Sequence, residues 1–91
     1  MPQVHGDPEE IRAFARALDT FKQETLEELQ IVESQLKDMG DTTWSDKRYH
    51  EFEEMFEEVS GRLKRGLDEI SSEHVPHLRR LAERLEEYES A

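Results

Sequence analysis

Apolar side chains recur every three or four residues along almost the whole of this chain, and the spacing breaks at one place only. From Ile11 the run reads Phe14, Leu18, Phe21, Thr25, Leu29, Val32, Leu36 and Met39. It resumes at Tyr49 and continues through Phe52, Phe56, Val59, Leu63, Leu67, Ile70, His74, Leu78, Leu81, Leu85 and Tyr88. A period near 3.6 puts such residues on one face of an α-helix, and no period-two strand pattern competes with it. The expectation is an all-α fold: an antiparallel helical hairpin in a single domain over residues 1–91. Its helices span 8–39 and 46–89, and its turn, at 40–46, carries Trp44.

The ends of the first helix are signposted. Asp7 can accept from free amides of the first turn, Pro8 suits the first helical position, and Glu10 completes an Asp-x-x-Glu capping box. Gly40 is the expected C-cap, where a residue without Cβ turns left-handed cheaply. Asp41, Thr43 and Ser45 are each candidate caps for the second helix. Helix one is then about 48 Å long at ~1.5 Å per residue. If both helices rise equally from the turn, facing positions sum to about 85. Leu36 then meets Tyr49, Val32 meets Phe52, Leu29 meets Phe56, Leu18 meets Leu67 and Phe14 meets Ile70, with Thr25 beside Ser60 and Gly61. On that register helix one has no partner for residues beyond about His74, and 77–89 overhang. Pro76 removes a helical hydrogen bond there, so a kinked continuation is expected rather than a reversal, and the apolar residues beyond it either fold back over Ile11 and Phe14 or meet another chain.

Composition narrows the function classes. The chain has 91 residues, 12 Lys plus Arg against 23 Asp plus Glu, and a formal net charge of -11. Low hydrophobicity with high charge is a mark of disorder, but the regular apolar spacing argues for order. Such a charge repels phosphate backbones, so no nucleic-acid partner is expected. No apolar run approaches the ~20 residues of a membrane span, and Met1-Pro2-Gln3-Val4-His5-Gly6 does not read as a signal peptide. The expected location is cytoplasmic, or secreted without a classical signal. With no Cys, disulfides, thiolate metal sites and cysteine catalysis are all excluded.

Candidate chemistry is sparse. His74 and His77 are three apart, close enough to share a helix face and ligate a metal, with Glu73 four before His77. They flank Pro76, and the bland reading places His74 in the apolar stripe and His77 at its edge. The Glu53-Glu54, Glu57-Glu58 and Glu86-Glu87 pairs fit solvated helix faces. Arg62, Lys64, Arg65, Arg79, Arg80 and Arg84 alternate with acids, as helix-surface ion pairs do. No phosphate loop, nucleophile elbow or catalytic triad is visible, so neither enzyme activity nor a cofactor is expected. Trp44 is the only Trp. It can be a structural lid over the hairpin end, its indole N–H capping a carbonyl of helix one, or an exposed anchor for a partner.

An isolated hairpin of this size buries one stripe per helix and is marginal in stability. Dimerisation into a four-helix bundle, by a homodimer or a heterodimer with a similar hairpin, supplies more burial. The expected interface is the overhang, Leu78, Leu81, Leu85 and Tyr88, with Ala13, Ala17 and Ile31, which lie off the main stripe of helix one.

The Asp7-Pro8-Glu9 opening, the turn Thr43-Trp44-Ser45-Asp46 followed by Tyr49 and Phe52, and the pair of amphipathic helices together resemble the WXG-motif family. These are small helical hairpins associated with type VII secretion. Trp44 matches the motif's Trp, and Asp46 stands where the family has Gly. The family's signal pairs a Tyr with an acid four residues on; here Tyr88 is followed by Glu89-Ser90-Ala91, and that pair is missing. The resemblance implies a non-enzymatic dimeric protein, exported as a folded bundle or partnering an exported one. The rival class is a cytoplasmic coiled-coil adaptor or structural subunit that is not exported.

Overall fold

The computed structural model describes residues 7–90. Met1–Gly6, with His5 and the segment read for a signal peptide, and Ala91 lie outside the described residues. The chain is an all-α helical hairpin. Helix α1 spans Pro8–Thr42 and α2 spans Lys47–Glu69. A single π-helical turn, Ile70–His74, then leads into α3, Val75–Ser90.

The start of α1 follows its sequence signal. The Glu9 N–H donates to Asp7 Oδ1 at 2.9 Å, and the Ile11 N–H donates to the Asp7 carbonyl at 3.1 Å. Its end does not. The helix runs through Gly40, which has no positive φ, and stops at Thr42. The expected left-handed C-cap is absent because Gly40 is used sideways. The Tyr49 phenol packs against it so closely that an added Cβ would collide with the ring and hydroxyl. The Thr43 and Trp44 N–H groups both donate to the Met39 carbonyl, at 2.8 and 2.7 Å, and close the helix. Asp46 then caps α2: its Oδ1 accepts from the Tyr49 N–H at 2.9 Å, and its carbonyl from the His50 N–H at 3.2 Å.

The chain divides into two compact units, residues 23–67 and residues up to Lys22 together with those from Asp68. In the first, Leu29 and Leu36 of α1 and Tyr49, Ser60 and Leu67 of α2 are buried. The Tyr49 hydroxyl lies 3.1 Å from the Leu36 carbonyl and 3.0 Å from Glu53 Oε2, two acceptors for one proton. Leu36 and Tyr49 thus pair as the register predicts. Burial, and then the Glu53 carboxylate, push the Tyr49 phenol above its ordinary pKa. Farther from the turn the register drifts. Lys64 pairs with Glu33 at 3.1 Å, and Ser60 and Gly61 line a shallow groove with Glu33, Leu36 and Lys37 rather than forming a layer with Thr25.

In the second unit Ala15 of α1 and Val75 and Ala82 of α3 are buried, and Leu78, Leu81 and Leu85 are half-buried. Arg12 forms a fork on Glu86, Nη1 to Oε2 at 2.9 Å and Nη2 to Oε1 at 3.1 Å. Arg79 reaches Asp19 at 2.9 Å, and Lys22 reaches Asp68 at 3.1 Å. The Arg12 guanidinium holds the Glu86 carboxyl below its ordinary pKa. These contacts correct the expected overhang: residues 77–89 have a partner in α1. The longer α1 and the extra residue of the π-turn both move facing positions toward the C-terminus of the chain.

The π-turn also corrects the stripe. The Val75 N–H donates to the Ile70 carbonyl, an i→i−5 bond. One extra residue in a turn rotates everything after it by about one helical step. Val75 is therefore buried where the unbroken period put His74, and His74 is exposed. The expected irregularity near Pro76 is this turn, which ends two residues before the proline.

Candidate interaction surface

What lies outside the core is as informative as the core itself. In the 23–67 unit, besides Ile31, six large apolar side chains are exposed on two helices: Val32 and Met39 on α1, and Phe52, Met55, Val59 and Leu63 on α2. The α2 four step by three and four, so they share one face; the α1 pair is seven apart and shares one too. Each set is rotated from its helix's buried residues in the same sense. In antiparallel helices that puts both sets on one side of the unit. Leu29, Leu36, Leu67 and Tyr49 close the pair together, while the other half of each apolar stripe faces outward. The sequence showed one broad stripe per helix. It did not show that Gly40, Ser60 and Ala15, rather than larger apolar residues, occupy the inner seam. In the other unit, Phe14 and Phe21 of α1 are exposed as well.

The turn supplies the end of this surface. Trp44 is half-buried, its ring edge-on to Tyr49 with centroids 5.2 Å apart and tilted against Phe52 at 6.3 Å. Phe52 in turn stacks on Phe56, centroids 6.2 Å apart. Trp44 thus joins an aromatic row that leads from the buried Tyr49 to the exposed face. Its contact with Tyr49 is the one a lid over the hairpin end would make, and its backbone amide rather than its indole N–H closes α1. Arg48, Glu51 and Met55 complete the shallow surface around Trp44 and Phe52.

The residues expected at an interface are spread over the molecule. Ala13, Ala17, Ile31 and Tyr88 are exposed, Tyr88 at 83%. Leu78, Leu81 and Leu85 are half-buried in the other unit. Of the candidate ligands, His77 is exposed, while His74 lies beside Glu69 and Glu73. His50 sits 3.8 Å from Glu53 at the surface. No helix among the described residues is long and apolar enough to cross a membrane.

A helical hairpin with a Trp in its turn defines a class of small all-α proteins. The chain belongs to the WXG100 family, proteins of 100 residues with WXG, whose family model matches residues 3–90. Membership makes it a small helical, secretion-associated protein; members of the family are not known enzymes and commonly form dimers. No curated protein and no solved structure is significantly similar to it. Asp46, two residues after Trp44, makes the N-cap bonds of α2.

Proposed function

We propose that the protein is a non-enzymatic partner in type VII-like secretion that works as a dimer, with itself or with a similar hairpin, joined into a four-helix bundle. The observation that carries this reading is the outward apolar face of Val32, Met39, Phe52, Met55, Val59 and Leu63. Each of these side chains is roughly half exposed, so covering it returns about 1 kcal/mol, half the value for full burial. Ala13, Ala17, Ile31 and Tyr88 are further exposed residues available to the same partner, and Leu78, Leu81 and Leu85 can add their uncovered halves. Trp44 holds the turn end of the face, and Asp46 fixes the start of α2 beside it. The secretion role rests on family membership. It is tested by following the tagged protein in culture medium of cells with an intact or an ATPase-deleted type VII apparatus. Appearance in the medium only with the intact apparatus, alone or bound to a second exported chain, is expected. Retention in both strains, with no exported protein depending on it, favours the adaptor that is not exported.

A further inference from the structure

The π-turn between α2 and α3 brings His74 to Glu69 and Glu73, a pair that a regular helix would hold together without it. Glu69 closes α2, and Glu73 and His74 lie within the turn. In an α-helix, at about 3.6 residues per turn, residue i+5 stands roughly 140° round from residue i. A turn bonded i→i−5 holds more residues and swings i+5 back over i, so that i+4 and i+5 flank it. The Val75 N–H bond to the Ile70 carbonyl is that turn. The result is that one ligand atom from each of Glu69, Glu73 and His74 lies within 4.8 Å of the other two.

None of the three side chains makes a hydrogen bond or ion pair with another described residue, whereas the adjoining Asp68 is bound by Lys22. Two carboxylates and an imidazole thus converge with no cationic side chain bonded to them, in a chain of net charge -11. We propose that Glu69, Glu73 and His74 form a divalent transition-metal site, suited to Zn2+. Three ligands at ~2.0–2.2 Å from one ion need only a small closure from the observed spacing, and the exposed side chains are free to make it. Imidazole nitrogen favours Zn2+ over Mg2+ or Ca2+, and the two carboxylates neutralise its charge. Exposure leaves the remaining coordination positions open to water. The ion would tie the end of α2 to the last residues of the π-turn and so hold the register that buries Val75.

Isothermal titration calorimetry of the full chain with ZnCl2, beside its E69Q, H74A and H77A variants, tests this. All three substitutions fall on exposed side chains, and circular dichroism checks that each variant is folded. The expected result is one Zn2+ per chain, weakened at least about tenfold by E69Q and by H74A. H77A, outside the cluster, leaves binding unchanged, and excess Mg2+ does not displace the ion. No binding at millimolar Zn2+, binding that H74A leaves intact, or binding lost equally with H77A but kept in E69Q overturns the proposal. The last outcome would assign the metal to a His74–His77 pair instead.

Discussion

Single side chains decide how the hairpin closes, and two of them do so in ways the sequence only half disclosed. Gly40 was legible as special, since a lone Gly follows the last apolar residue of helix one. Its use was not legible, because the constraint comes from Tyr49 on another helix and not from the local backbone. Gly40→Ala should therefore destabilise the fold by about 1–3 kcal/mol, as overpacking does, even though Ala is the better helix former. Urea unfolding followed by circular dichroism measures this; a stabilised G40A variant would mean that Tyr49 moves aside freely. Asp46 makes a second case. Asp46→Ala removes the N-cap of α2 and should cost about 1 kcal/mol, while Asp46→Gly should cost only a few tenths. Equal losses in the two variants, by the same unfolding measurement, would mean the carboxylate does not cap.

At the scale of elements, helix existence and type were written in the apolar period, and the start of each long helix in Asp7 and in the Asp46 turn. Register was not. It depends on where α1 stops and on the π-turn at Ile70–His74, and a π-turn leaves no period of its own in the sequence. Pro76 signalled trouble close by without saying that an extra residue would be inserted upstream. The inserted residue makes a sharp prediction. In metal-free buffer Val75→Ala should lower stability by about 1–3 kcal/mol, because Val75 is buried. His74→Ala should stay within about 0.5 kcal/mol, because His74 is at the surface. Thermal unfolding of the two variants decides it, and the reverse ranking would restore the uninterrupted stripe through His74. The same shift explains why Ala82, unremarkable in composition, is fully buried while Tyr88 stands in water.

For the whole molecule, the sequence pointed to an all-α hairpin of the WXG-motif family, and the match over residues 3–90 shows that family. It also pointed to a partner, but for a reason the structure replaces. Residues 77–89 lie against α1, as the Arg12–Glu86 fork shows, with Leu78, Leu81 and Leu85 half-buried and Tyr88 exposed, and most of the exposed large apolar side chains lie on α1 and α2. No period could have revealed this, because each stripe is wider than one contact and only the packed pair shows which half is spent. Two chains of net charge -11 repel at long range, so added salt should tighten a homodimer by screening. The central claim is association through the outward face of the 23–67 unit. It is tested most directly by sedimentation equilibrium at tens of micromolar on the native chain and on its Val59→Glu variant, alone and mixed with any hairpin that co-purifies. Val59 is 52% exposed, so the substitution spares the core. The account predicts a dimer for the native chain, or a one-to-one complex with the co-purifying hairpin, and dissociation of either in V59E. A native chain that stays monomeric without a partner, or a dimer that V59E leaves as tight as before, would contradict it.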